Sequence, residues 1–129
     1  MRALLYKILQ VLQNVLNVDV LSTEDTATDE IIPSDVSGGS VDILTPSSGK
    51  KIDTRSVFLG TNSTSGEVWI HFKNSTKPLG KIYCSKFAMI ALDSVRKKGG
   101  VDEPVTVSWS NLDNNSKIFC LVRYKEVEE

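Results

Sequence analysis

Gly66-Glu67-Val68-Trp69-Ile70-His71-Phe72-Lys73 decides the fold class. Successive side chains of an extended chain point to opposite faces, so Val68, Ile70 and Phe72 share one side while Glu67, Trp69 and His71 share the other. The octet therefore reads as a strand with one face in a core. Downstream the same alternation puts Val105, Val107 and Trp109 on one face, and Ile118, Cys120, Val122 and Tyr124 on another. In that last segment Phe119 and Leu121 make the second face apolar too. A strand greasy on both sides calls for a second cover: a subunit contact, a folded-back linker, or the N-terminal helix described below.

Working outward, strands are expected over 41–45, 51–59, 66–73, 79–87, 104–109 and 116–125. The clusters Thr45 to Gly49, Gly60 to Gly66, Asn74 to Pro78, Lys97 to Gly100 and Asn111 to Ser116 supply the turns between them. Residues 88–96 are ambiguous, because Ala88, Met89, Ala91, Leu92 and Val95 also suit a short helix; strand plus loop is the reading adopted. Short strands at this spacing make 41–129 an all-β domain, a single antiparallel β-sandwich.

The first 18 residues follow a different period. Leu5, Ile8, Leu9, Leu12, Val15 and Leu16 recur at helical spacing and line one stripe. In heptad terms Leu5 and Leu12 take position a, Ile8 and Val15 take d, and Leu9 and Leu16 widen the stripe at e. Leu4, Val11 and Val18 widen it at g. That is broader than a two-stranded seam buries, so three or more copies fit better than two. An isolated helix of this length is marginal in water. It must pack on copies of itself, on a partner, or on its own sandwich; self-association is favoured. Tyr6, Lys7, Gln10, Gln13 and Asn14 interrupt any continuous apolar run, so a retained helix is expected rather than a cleaved leader.

Residues 19–40 are rich in Asp, Glu, Ser and Thr, with Pro33 and Gly38-Gly39 as breakers. They read as an acidic linker, pinned at Val20-Leu21 and Ile31-Ile32; a short second helix capped by Ser22 is the alternative.

A net charge of −1 over 129 residues offers no basic surface for nucleic acid. No apolar run reaches the roughly 18 residues of a membrane span. His71 is the single histidine, and no nucleophile-elbow pattern accompanies it, so no catalytic site and no cofactor is expected. Cys84 and Cys120 lie in strands and with one histidine make no zinc set; whether the two pair is left open. Asp93, Asp102, Glu103 and Asp113 sit in or near loops and could meet around calcium, but solvated loop carboxylates are the plainer reading. Trp69, His71, Tyr83 and Tyr6 are the aromatics placed for recognition, with Asn62, Asn74, Asn114 and Asn115 at loop tips.

A resemblance rests on longer stretches. Val41-Asp42-Ile43-Leu44-Thr45-Pro46-Ser47-Ser48-Gly49-Lys50-Lys51-Ile52 precedes Gly66-Glu67-Val68 and Lys81-Ile82-Tyr83-Cys84-Ser85-Lys86-Phe87. Gly100-Val101-Asp102-Glu103-Pro104-Val105 and Lys117-Ile118-Phe119-Cys120-Leu121-Val122-Arg123-Tyr124 then close the series. It resembles small jelly-roll-like domains of tailed-virus and prophage virion proteins, and Asp19-Val20-Leu21-Ser22-Thr23 is similar to the linkers that precede them. The resemblance implies a non-enzymatic virion component made in the host cytoplasm: a head decoration protein, a spike, or a tail-associated fibre. Such proteins are commonly homotrimers. Its partners would be further copies, other virion proteins and a host-surface glycan. The expected interface is Leu5, Ile8, Leu9, Leu12, Val15, Leu16, Phe119 and Leu121. A carbohydrate-binding module acting through Trp69, His71 and Tyr83 is the alternative.

Overall fold

In Glu67–Phe72 the core-facing residues are three apolar side chains, and the strand they dictate is one of nine among the described residues. A computed structural model describes residues 2–10, 24–86 and 88–128. The strands are β1 (Asp25–Ile31), β2 (Gly38–Leu44), β3 (Lys50–Thr61), β4 (Glu67–Phe72), β5 (Gly80–Tyr83), β6 (Met89–Leu92), β7 (Lys97–Lys98), β8 (Val105–Ser110) and β9 (Ile118–Glu128). One sheet has the order β1-β9-β3-β6, with β7 also on β3; the other has the order β2-β8-β4-β5. Every pairing is antiparallel.

The strand order has a simple origin. β1 with β9, β2 with β8, β3 with β6, and β4 with β5 are the four rungs of one long hairpin closed at the β4–β5 turn. Rolling that ribbon up brings β9 beside β3 and β8 beside β4, which splits the rungs alternately between two facing sheets. This is the jelly roll.

The two inner faces meet through Ile52, Val57 and Leu59 of β3, Val68 and Ile70 of β4, Val105 and Val107 of β8, and Ile118 and Val122 of β9, all essentially inaccessible. A bulge at Arg55 breaks the register between Thr54 and Ser56. The extra residue lets Ile52 and Thr54 before it, and Val57 and Leu59 after it, all face inward. Thr54 is buried, but its hydroxyl donates to the Lys97 carbonyl at 2.8 Å, so no polar group is stranded there. Trp109 closes one end of the core and donates its indole N–H to the Asp35 carbonyl at 2.7 Å. At the turn into β4, Gly66 holds a φ of +86°, and a Cβ there would collide with the carbonyl oxygens of Ser110 and Asn111.

Two expectations need correction. The acidic linker over 19–40 is shortened, because β1 and the first residues of β2 lie inside it. Acidic residues are poor strand formers, but β1 is an edge strand that needs few core side chains. It inserts only Ala27 and Ile31, and every residue from Asp25 to Ile31 is matched to a partner on β9. The turn expected at Lys97 to Gly100 begins later, since Lys97 and Lys98 pair with Thr54 and Asp53. The ambiguous 88–96 segment is strand plus loop, with β6 at its centre.

The helix covers residues 2–10, and each of them is exposed. The expected continuation to residue 18 lies outside the described residues. Packing of residues 2–10 against the chain's own sandwich is not what the structure shows.

Truncating a core side chain tests the layered arrangement. Ile70→Ala is expected to lose about 2–5 kcal/mol of unfolding free energy by denaturant titration. A loss below ~1 kcal/mol would mean that Ile70 is not between the sheets.

Candidate functional site

With the inner faces consumed by the core, recognition falls to the outer faces and loops. The outer face of the β2-β8-β4-β5 sheet carries the sequence candidates. Trp69 sits opposite Lys81, and Glu67 opposite Tyr83. The Lys81 ammonium lies 5.3 Å from the Trp69 ring centre and 5.0 Å from that of Tyr83. It also pairs with Glu67 at 3.0 Å. That carboxylate, foremost through its hydrogen bond, raises the Lys81 pKa above the ordinary lysine value. Trp69 is half-buried and Tyr83 well exposed, so the structure brings these two together around one cation.

His71 shares the face but is engaged otherwise. Its Nδ1 lies 2.7 Å from the Phe72 carbonyl oxygen, which can only accept, so Nδ1 carries the hydrogen. Nε2 then accepts from the Ser108 hydroxyl at 2.8 Å. Both ring nitrogens are satisfied by the sheet itself. Next to it, Asp42 accepts from Thr106 at 2.8 Å and pairs with Lys73 at 3.2 Å. This is a polar, self-satisfied surface.

The outer face of the other sheet carries an apolar patch beside the Glu30–Lys117 and Arg123–Glu24 ion pairs. The register aligns Glu30, Phe119, Gly60 and Met89 in one row, and Thr28, Leu121, Phe58 and Ala91 in the next. Gly60 leaves a gap between its neighbours, and two hollows of about 460 and 540 Å³ flank the Phe58 and Phe119 rings that line both. Phe119 is 50 % exposed and Met89 64 % exposed. Phe119 and Leu121 were placed on this face by the sequence; Phe58, Gly60 and Met89 were not. The signal for Phe58 was present in Val57-Phe58-Leu59, an apolar run that cannot point one way in a strand. Of the helix candidates, Leu5, Ile8 and Leu9 are exposed, as is Tyr6, while Leu12, Val15 and Leu16 lie outside the described residues.

The loop carboxylates do not converge. Asp102 accepts from the Gly49 amide at 2.7 Å, and Glu103 from the amides of Asn74 at 2.7 Å and Gly100 at 2.8 Å. Asp113 accepts from the Ser65 hydroxyl at 2.6 Å and from both the amide and hydroxyl of Thr64 at 2.7 Å. Each acid ties one turn to another. Among the described residues no group of three or more His, Cys, Asp or Glu side chains is placed to hold a metal. Among them, too, no helix is long and apolar enough to cross a membrane. Cys84 and Cys120 are both free thiols, which answers the pairing question; burial pushes the Cys120 thiol up to about 11.

With this geometry in view, the chain can be set beside known proteins. No family model matches it. No curated protein matches it either. Among solved structures, a chain in the acidic stable capsid structure of Helicobacter pylori bacteriophage KHP30 superposes with a TM-score of 0.56 at 18 % identity, covering 84 % of this chain and 95 % of that one. The likeness is one of fold. PirA gives a TM-score of 0.45 at 16 % identity over 77 % of this chain and 92 % of that one. The virus-like particle of the giant freshwater prawn (Macrobrachium rosenbergii) extra small virus gives 0.39 at 15 % over 83 % and 81 %. Neither of these two scores is high enough to argue from.

The Asp113 clamp gives a pH test. The hydrogen bond from Ser65, followed by those from Thr64, holds its carboxyl down to about 2. An unfolded-chain aspartate titrates near ~3.9. Because the folded pKa is the lower one, the clamp is complete above the unfolded value and is lost as the pH falls through about 2. Amide-exchange protection at Thr64 should therefore hold near pH ~4 and fall near pH ~2, and Asp113→Ala should remove it at both. Unchanged protection in Asp113→Ala would show that the carboxylate does not hold this loop.

Proposed function

We propose that the protein is a structural component of a virus particle, displayed at the particle surface and assembled by self-association through its N-terminal helix. The observation that carries this reading is the jelly-roll strand order, together with a fold likeness spanning 95 % of a chain from a phage capsid structure. That likeness favours a place on the head, as decoration or spike, over a tail-associated fibre. The homotrimer expected from the breadth of the Leu5, Ile8, Leu9, Leu12, Val15 and Leu16 stripe belongs to the same reading. Leu4, Leu5, Ile8 and Leu9 are 62, 58, 48 and 59 % exposed in the single chain, a surface that needs a neighbour. Other virion proteins are the further partners, and several copies on one particle would multiply weak single contacts.

Light scattering on the full chain and on a chain lacking residues 1–18 tests the proposal. The full chain should be oligomeric and the truncated one a folded β monomer, since no described helix residue is buried against the sandwich. A monomeric full-length chain would remove self-assembly from the account.

A host-surface glycan reading has Tyr83 and Trp69 in its favour. Lys81 lies over both rings, however, so a sugar would have to displace it from Glu67 to stack there. Glycan-array binding that disappears in Trp69→Ala would raise this second reading; no binding by either chain would end it.

A further inference from the structure

Among the described residues, two apolar surfaces are left without a cover. One is the helix stripe of Leu5, Ile8 and Leu9, and the other is the trough around Phe58, Met89 and Phe119 on the outer face of the β1-β9-β3-β6 sheet. We propose that the trough is the receptor for the N-terminal helix of a neighbouring copy, so that adjacent subunits are joined by exchanged helices lying across a sheet. The proposal rests on the self-assembly reading and replaces the helix bundle inferred from the breadth of the stripe with helix-on-sheet contacts.

Three observations favour this occupant. First, each surface needs a cover of the other's kind. A helix bundle would hide the stripe but leave Phe119 and Met89 in water; a face-to-face pair of sandwiches would hide the trough but leave the helix bare. Exchange buries both in one contact. Second, the helix would meet one acid at the trough. Residues 1–18 carry Arg2 and Lys7 and no acid, and Glu30, held 3.5 Å from Lys117, is the carboxylate on the β1 side of the trough, with Lys86 lining its other end. Third, the tether fits an adjacent copy. The 13 residues from 11 to 23 can span at most about 45 Å when fully extended. The helix can therefore reach a sandwich beside its own but not a distant one. Docking on its own trough is not the arrangement seen, since both surfaces stay exposed within one chain.

Gly60 gives a selective way to block the contact. A Cβ there meets nothing closer than 3.6 Å, in the Phe58 ring, so a larger side chain enters the gap between Phe119 and Met89 without striking backbone. Gly60→Leu fills the trough from within, and Phe119→Asp is a second variant that acts from the strand next to it. Circular dichroism checks that each remains folded.

The experiment co-expresses two full-length chains of different tag mass in a Cys84→Ser background, one carrying Ile8→Cys and the other Met89→Cys. They are treated with a short bis-maleimide. Exchange predicts a cross-linked heterodimer, lost when Gly60→Leu or Phe119→Asp is added to the Met89→Cys chain. An intramolecular link in the Ile8→Cys/Met89→Cys double variant, with no heterodimer, would mean the helix docks on its own sheet and would overturn the proposal. An oligomer by light scattering that yields no cross-link, or whose cross-link persists in both trough variants, also overturns it while leaving self-assembly standing. A monomer with no cross-link removes both.

Discussion

Everything in the sandwich hangs on the ladder between β3 and β9. It runs from Lys50 opposite Glu128 to Thr61 opposite Ile118, interrupted once at Arg55. The rungs of the rolled hairpin pair strands in order outward from the β4–β5 turn. The β3–β9 ladder instead joins the two rungs of one sheet, and β8–β4 does the same for the other. Without these seams the ribbon is an open strip with one greasy face. With them, the strip closes and that face becomes a core. The bulge at Arg55 keeps both halves of β3 facing inward.

Closing the roll leaves two outer faces of opposite character. On the β2-β8-β4-β5 sheet, outward side chains satisfy one another: His71 with Ser108, Asp42 with Thr106 and Lys73, Lys81 with Glu67 and two rings. Such a face is content in water. On the β1-β9-β3-β6 sheet, Phe58, Met89, Phe119 and Leu121 line an apolar trough for which the described chain supplies no cover. The sandwich is thus two-sided, with one polar face and one that bears an apolar patch. The exposed helix adds a third surface of the second kind.

Much of this was legible in the sequence because strands with one dry face write their period plainly. Val68, Ile70 and Phe72 placed β4 on the core, and Phe119 with Leu121 marked β9 as apolar on both faces; the structure agrees on each. The failures have physical causes. β1 is built from Asp, Thr and Glu, and its membership in the sheet rests on backbone pairing to β9, which leaves little trace in side-chain pattern. The trough required register: Gly60 faces outward between Phe119 and Met89 only because β3 is shared by β9 and β6 at that row. Sequence spacing alone does not say which strands are neighbours. Trp69 and His71 share a strand face and stand with Tyr83 as candidate recognition aromatics, but hydrogen bonding sets His71 apart from the other two.

The margins of the two sheets carry a last implication. β1 forms one rim and is strewn with Asp25, Asp29 and Glu30; β2 forms another, and three of its four residues before Asp42 are glycine or serine; β5 and β6 are only four residues each. Rims that are short or negatively charged are poor templates for adding a strand from another chain. Edge-on addition of a strand from a further copy is thereby disfavoured at β1, β5 and β6, an obstacle that contact through a broad sheet face does not meet.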